Sequence, residues 1–153
     1  MKIECVKMHE NAVLPIKEKG NLAFDLYVVE DEDFRRGYYG DERLQFTLHP
    51  WHGHIFHTGL RIALPEGYGA IYRDRSGLGA KYNIHVLAGC IDNSYRGEWM
   101  ISLINLSDKN YVFFEGDRIV QAILVKEYDL EFEEVEQLDK TARGDKGFGS
   151  SGR

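Results

Sequence analysis

The sequence predicts an all-β domain, a jelly-roll-like sandwich or barrel with one short helix and a flexible C-terminal arm. Two observations lead there. The first is size and composition: 153 residues fit one domain, and an apolar share of 43% is ordinary for a globular protein. The second is the pattern along the chain. Long amphipathic helical stretches are missing, and short β-rich runs broken by turn residues take their place. In order the runs are IECVKM (3–8), LAFDLYVV (22–29), LQFTL (44–48) and HIFHTGLRIAL (54–64). YGAIY (68–72), WMISLINL (99–106), YVFF (111–114), RIVQAILV (118–125) and LEFEEV (130–135) follow.

The punctuation between the runs is turn chemistry. LPEGYG bends between two strands through Pro65 and Gly67, and FFEGDRI turns at Gly116–Asp117. A short helix is expected over 76–82, with Ser76 as its cap, although Gly79 weakens the propensity. The segment 28–45, VVEDEDFRRGYYGDERLQ, mixes both charges with Gly, Tyr and Phe and reads as a long surface loop or hairpin, functional or simply solvated. The acidic stretch EYDLEFEEVEQLD forms a last strand and then a linker. The organisation is therefore a β domain over 1–139, carrying the charged insert, and an arm over 140–153.

Charge and cysteine content set limits. A net charge of −6 disfavours broad nucleic-acid binding by a basic surface, while a local cluster of donors still allows a small anionic ligand. The N-terminal MKIECVKMHENAV has no apolar signal core, and no run approaches transmembrane length. A cytoplasmic setting with Cys5 and Cys90 as free thiols is expected.

Several segments carry residues suited to chemistry. The tail reads TARGDKGFGSSGR, and GFGSSG is a literal G-x-G-x-x-G. The dinucleotide reading fails, because that fingerprint needs a helix to follow and Arg153 is the last residue. Glycines still allow close backbone approach to a ligand, and Arg143, Ser150, Ser151 and Arg153 can donate to an anion. Phe148 argues against a bare disordered tail. In LAFDLY, Asp25 either faces solvent or aims at a hydrated cation. In YRDRSGLGAKY, Arg75, Ser76 and Gly77 make either an anion site or a plain helix start. In LAGCIDNSYRGEW, Asp92 and Tyr95 occupy a turn between two strands, as turn formers or as a general base with a ring for a sugar. In EGDRIVQAIL, Arg118 and Gln121 either point to a polar ligand or belong to a core strand with Arg118 in an ion pair. HPWHGHIFH holds His49, His52, His54 and His57. Period-2 geometry spreads such residues over two faces of a strand, which favours surface histidines over a zinc site.

Taken in order, LAFDLY, DRSGLGAKY, AGCIDNSYRGEW, GDRIVQAIL and RGDKGFGSSG resemble the five motifs of the trimeric dUTPase family. The resemblance covers nearly the whole chain. It implies a β jelly roll and a homotrimer whose active sites each draw on three subunits. It also implies cleavage of dUTP to dUMP and pyrophosphate by water attack at the α-phosphorus, with Mg²⁺ on the triphosphate.

Residue by residue, the resemblance makes Asp92 the general base and packs Tyr95 under the deoxyribose. Backbone groups near Gly89 and Met100 read the uracil edge. Arg75, Ser76 and Gly77 hold phosphates, and Gln121 serves the α-phosphate region. Asp25 contacts Mg²⁺ through water. Phe148 stacks on uracil while Arg143, Gly149, Ser150 and Ser151 contact the γ-phosphate. The family pattern carries a second Asp where Ser94 stands and Gly where Lys146 stands. Two other readings are a dCTP deaminase of the same fold, which would release ammonia, and a dUTP-gated regulatory protein using the 28–45 insert to meet a protein partner.

Overall fold

Alternation of apolar and polar residues builds the strands. In FDLY, Phe24 and Leu26 are buried while Asp25 and Tyr27 sit on the other face, as a period of two requires. The computed structural model describes residues 1–37, 42–142 and 144–146. Its strands are β1 (Glu4–Lys7), β2 (Phe24–Tyr27), β3 (Arg35–Arg36), β4 (Leu44–Leu48), β5 (Gly53–Phe56) and β6 (Leu60–Ala63). These are followed by β7 (Tyr68–Arg73), β8 (Ile84–Val86), β9 (Cys90–Ile91), β10 (Ile101–Asn105), β11 (Tyr111–Phe114) and β12 (Arg118–Lys126). They pair antiparallel in four small sheets, ordered β1-β6, β5-β10-β8, β11-β4-β3 and β2-β12-β7-β9. The all-β, jelly-roll-like expectation holds. No helix among the described residues is long and apolar enough to cross a membrane.

One core runs between the sheets. Trp99, Phe56, Phe113, Leu26, Leu48 and Leu60 are among its fully buried side chains, and the Phe46, Phe56 and Phe113 rings meet edge to face. The core includes one buried amide. Asn105 donates to the carbonyls of Leu48 (3.0 Å) and Lys109 (2.7 Å), and its Oδ1 accepts from the Ser107 N–H (2.9 Å) and hydroxyl (2.7 Å). Asn105→Ala strands the buried Leu48 carbonyl and removes the tie to Ser107 and Lys109 nearer the surface. We expect a loss of about 1–3 kcal/mol of stability, read from denaturant melts; an unchanged midpoint would mean water replaces the amide.

The structure corrects several expectations. The run 54–64 is not one strand. It breaks at Gly59, where φ is +64° and an added Cβ would lie 2.6 Å from that of His9. The two pieces join different sheets, with Thr58 pinned by its hydroxyl to the Trp99 carbonyl (2.9 Å). The run 130–135 is no strand either. Residues 127–142 are exposed, and Phe132 is 91% exposed. A strand needs a neighbour for its backbone donors and acceptors, and among the described residues no strand pairs with this segment. The helix is a π-helix over Gly77–Lys81, and Ser76 is not its side-chain cap. Ser76 already has helical dihedrals (φ −51°, ψ −41°), whereas a capping side chain belongs to an extended residue. The turns expected at 65–67, 92–95 and 116–117 do lie between strands, and each links strands of different sheets.

The charged insert is only partly a surface excursion. Val28, Val29 and Phe34 are buried, His54 Nε2 lies 3.7 Å from Asp31 Oδ2, and β3 pairs with β4 as a hairpin. Cys5 and Cys90 are free thiols; burial raises the pKa of Cys5.

Candidate active site

Two clefts hold most of the singled-out side chains among the described residues. The larger, about 720 Å³, lies where β2 and β12 meet the loop leaving β7; Asp25, Arg75, Ser76, Arg118 and Gln121 are among the residues lining it. A bulge in β12 shapes this wall. Register against β2 slips between Arg118 and Val120, so Ile119 and Val120 are both buried while Arg118 and Gln121 both reach the cleft. Asp25 sits between two arginines. Its Oδ1 accepts from Arg75 Nε and its Oδ2 from Arg118 Nη1, each at 3.1 Å. Arg75 Nη1 also donates to the Arg118 carbonyl (3.0 Å). A guanidinium carries five donors, so the pair is held rigid by Asp25 and keeps donors for an anion.

The smaller cleft, about 200 Å³, is lined by Cys90, Ile91, Asp92, Tyr95, Glu98 and Met100. Its turn is anchored from below. Asn93 Nδ2 donates to the carbonyls of Pro65 (2.5 Å) and Tyr68 (3.1 Å), and the Tyr95 N–H donates to the Asp92 carbonyl (3.1 Å). The Tyr95 hydroxyl donates to the Glu98 carbonyl (2.8 Å), and a Cβ at Gly97 would run into that hydroxyl. The Glu98 carboxylate is fixed by the Gly59 N–H (2.7 Å) and His57 Nδ1 (3.0 Å). Gly89 lies against Tyr72, where an added Cβ would be 2.6 Å from the Tyr72 Cβ, and its carbonyl accepts the Tyr72 N–H (2.8 Å). The Met100 N–H donates to the Glu98 carbonyl (3.0 Å). Burial, with Tyr95 second, pushes the Tyr72 hydroxyl far up, so Tyr72 stays neutral under this cleft.

The structure thus groups Asp25, Arg75, Ser76 and Gln121 in one cleft, with Gly77 beside Ser76 at the start of the π-helix. Asp92, Tyr95 and Met100 gather in the other, with Gly89 close by. The two clefts have no lining residue in common within one chain. Arg143, Phe148, Gly149, Ser150 and Ser151 lie outside the described residues. Arg118 makes the ion pair foreseen as one of its two readings. Glu98 was missed; only its place in the third motif could have flagged it. The histidines take separate partners: His49 meets Asn110 (3.0 Å), His52 the Pro50 carbonyl (2.8 Å) and His57 Glu98, while His54 stacks on Phe46 at 3.9 Å.

Fold and clefts together define an antiparallel jelly-roll protein with one arginine-rich and one aromatic, carboxylate-bearing recess. The dUTPase family model matches residues 9–152. A deoxyuridine 5'-triphosphate nucleotidohydrolase of Helicobacter pylori is 40% identical over 155 residues, spanning 99% of this chain and 97% of that protein. A mutant dUTPase of Staphylococcus bacteriophage 80alpha, solved with dUpNHpp, superposes with a TM-score of 0.80 at 23% identity, covering 99% of both chains. A mutant dUTPase of phage phi11 of S. aureus, described as coordinating a structural Mg(II) ion, gives a TM-score of 0.76 at 20% identity over 92% of this chain and all of that one. The chain belongs to the dUTPase family.

Proposed function

We propose that the protein hydrolyses dUTP to dUMP and pyrophosphate at sites completed between the subunits of a homotrimer. Hydrolysis rests on family membership, and the division of the site on one observation: the arginine cleft and the Asp92–Tyr95 cleft are separate recesses of a single chain. Each is chemically half of what dUTP needs. Arg75, Ser76 and Gln121 suit the phosphates, and Asp92, Tyr95 and the backbone near Gly89 and Met100 suit the deoxyuridine. Residues 127–142 support assembly, because Tyr128, Leu130, Phe132 and Leu138 are exposed apolar side chains on one extended segment.

In this reading Asp92 takes the proton of the attacking water, its oxygen bonds to the α-phosphorus, and pyrophosphate leaves. Tyr95, held by the Glu98 carbonyl, gives the sugar a flat wall too close for a 2′-hydroxyl. The Asp25 oxygens each already accept one arginine donor, which suits bonds to metal-bound water better than direct ligation. Mg²⁺ carried on the triphosphate would neutralise phosphate charge there.

The test is pyrophosphate release across the deoxynucleoside triphosphates, with and without Mg²⁺. Release from dUTP alone supports the reading; ammonia release from dCTP sinks it. The arm adds a second expectation. A chain ending at Thr141 should keep its melting temperature and lose kcat/KM. Stacking on a base contributes roughly 1–3 kcal/mol, and a charge-assisted bond from Arg143 roughly 1.5–3 kcal/mol, less the entropy of ordering the arm. Phe148→Ala should show a smaller loss. Unchanged kcat/KM in the truncated chain would mean the arm takes no part.

A further inference from the structure

We propose that Asp74, which lines neither cleft, is a positioning residue for the phosphate half of the site. The inference rests on the dUTPase reading above and adds a residue to it. Asp74 stands between the end of β7 and Arg75, and its main-chain carbonyl and both carboxylate oxygens accept hydrogen bonds from neighbouring elements. Its main-chain carbonyl accepts Gln121 Nε2 at 2.7 Å. Only an NH₂ can face a carbonyl, so this bond fixes which way round the Gln121 amide sits. Its carboxylate reaches the other way, accepting the Val86 N–H at 2.7 Å and His85 Nδ1 at 2.6 Å. The π-helix packs against it as well: a Cβ at Gly79 would lie 3.1 Å from the Asp74 Cβ and 3.4 Å from Oδ2.

One residue therefore ties β12 to β8 across the root of the Arg75–Ser76–Gly77 loop. If the carboxylate lets go of β8, the Asp74 peptide is free to turn. The Gln121 amide then loses its partner and Arg75, the next residue, loses its fixed approach to Asp25. Among the described residues, none of these Asp74 bonds reaches the residues lining the Asp92–Tyr95 cleft. The clamp therefore acts on phosphates and not on the nucleoside.

That selectivity is the test. Binding of deoxyuridine, which has no phosphate, and of the imido analogue dUpNHpp is measured by calorimetry on wild type, Asp74→Ala, Asp74→Asn and His85→Ala, with thermal melts alongside. In Asp74→Ala, affinity for the analogue should fall about tenfold to a hundredfold while that for deoxyuridine changes by less than about threefold, since small displacements of positioning groups cost on this scale. Asp74→Asn should recover most of the loss, because its amide oxygen still accepts from Val86 and its NH₂ can face a neutral imidazole. His85→Ala, at an exposed position, should show a smaller loss with the same selectivity. It carries the comparison if Asp74→Ala does not fold. Equal weakening of both ligands, unchanged analogue affinity, or an Asn variant no better than Ala overturns the proposal. Failure of wild type to bind the analogue would instead overturn the dUTPase reading.

Discussion

Replacing Asp92 with Asn leaves fold and nucleotide affinity in place and lowers kcat by about 10²–10⁴-fold, the contribution of a positioned general base. The turn explains why the defect stays local. Asn93 anchors it to the Pro65 and Tyr68 carbonyls, and Asp92 itself is engaged through its main-chain carbonyl to Tyr95. Its side chain is exposed at the rim of the smaller cleft. An amide there keeps the size of the group and can still accept a hydrogen bond from the sugar, but it cannot take a proton from water. The measurement is single-turnover hydrolysis of dUTP beside the dissociation constant of dUpNHpp and a thermal melt. Hydrolysis within a few fold of wild type, at unchanged affinity and stability, would remove Asp92 from the role of base.

Much of this arrangement is legible in the chain because it is local. Period-2 runs such as FDLY and RIVQAILV bury one face, and turn residues mark where strands stop. What the sequence hides is long-range. Asp25 and Arg75 are fifty residues apart and nothing in either run announces their ion pair. The Gly59 break is invisible because the clash that forbids a side chain there comes from His9. The 130–135 run carries strand propensity, yet no strand among the described residues pairs with it. The bulge at Ile119, which turns Arg118 and Gln121 to the same cleft, is set by register against β2 and not by any local signal. Asp74 reads as one more charge in a motif; only the fold shows it touching Gln121, Val86 and His85 at once.

Mixing two crippled chains should restore activity that neither has alone. Asp92→Asn removes the proposed base. Arg75→Ala removes a phosphate donor, and charge-assisted bonds of that kind contribute roughly 1.5–3 kcal/mol, a loss on the order of tenfold to a hundredfold. It also leaves Asp25 with Arg118 as its remaining partner, which limits the damage to the fold. If each site takes Asp92 from one subunit and Arg75 from another, random assembly of equal amounts gives roughly one site in four with both groups intact. If both come from the same chain, no site is intact at any mixing ratio. The separation of the two clefts within one chain favours the first outcome. Subunit exchange is verified with one chain tagged, and kcat for dUTP is followed as the ratio of chains is varied. Recovery should peak near equal amounts and vanish at either extreme, because a shared site needs one good copy of each half. A mixture that stays at the level of the better single variant, in proven hybrids, would place both halves in one chain's site and would require the two recesses to close on each other within a subunit.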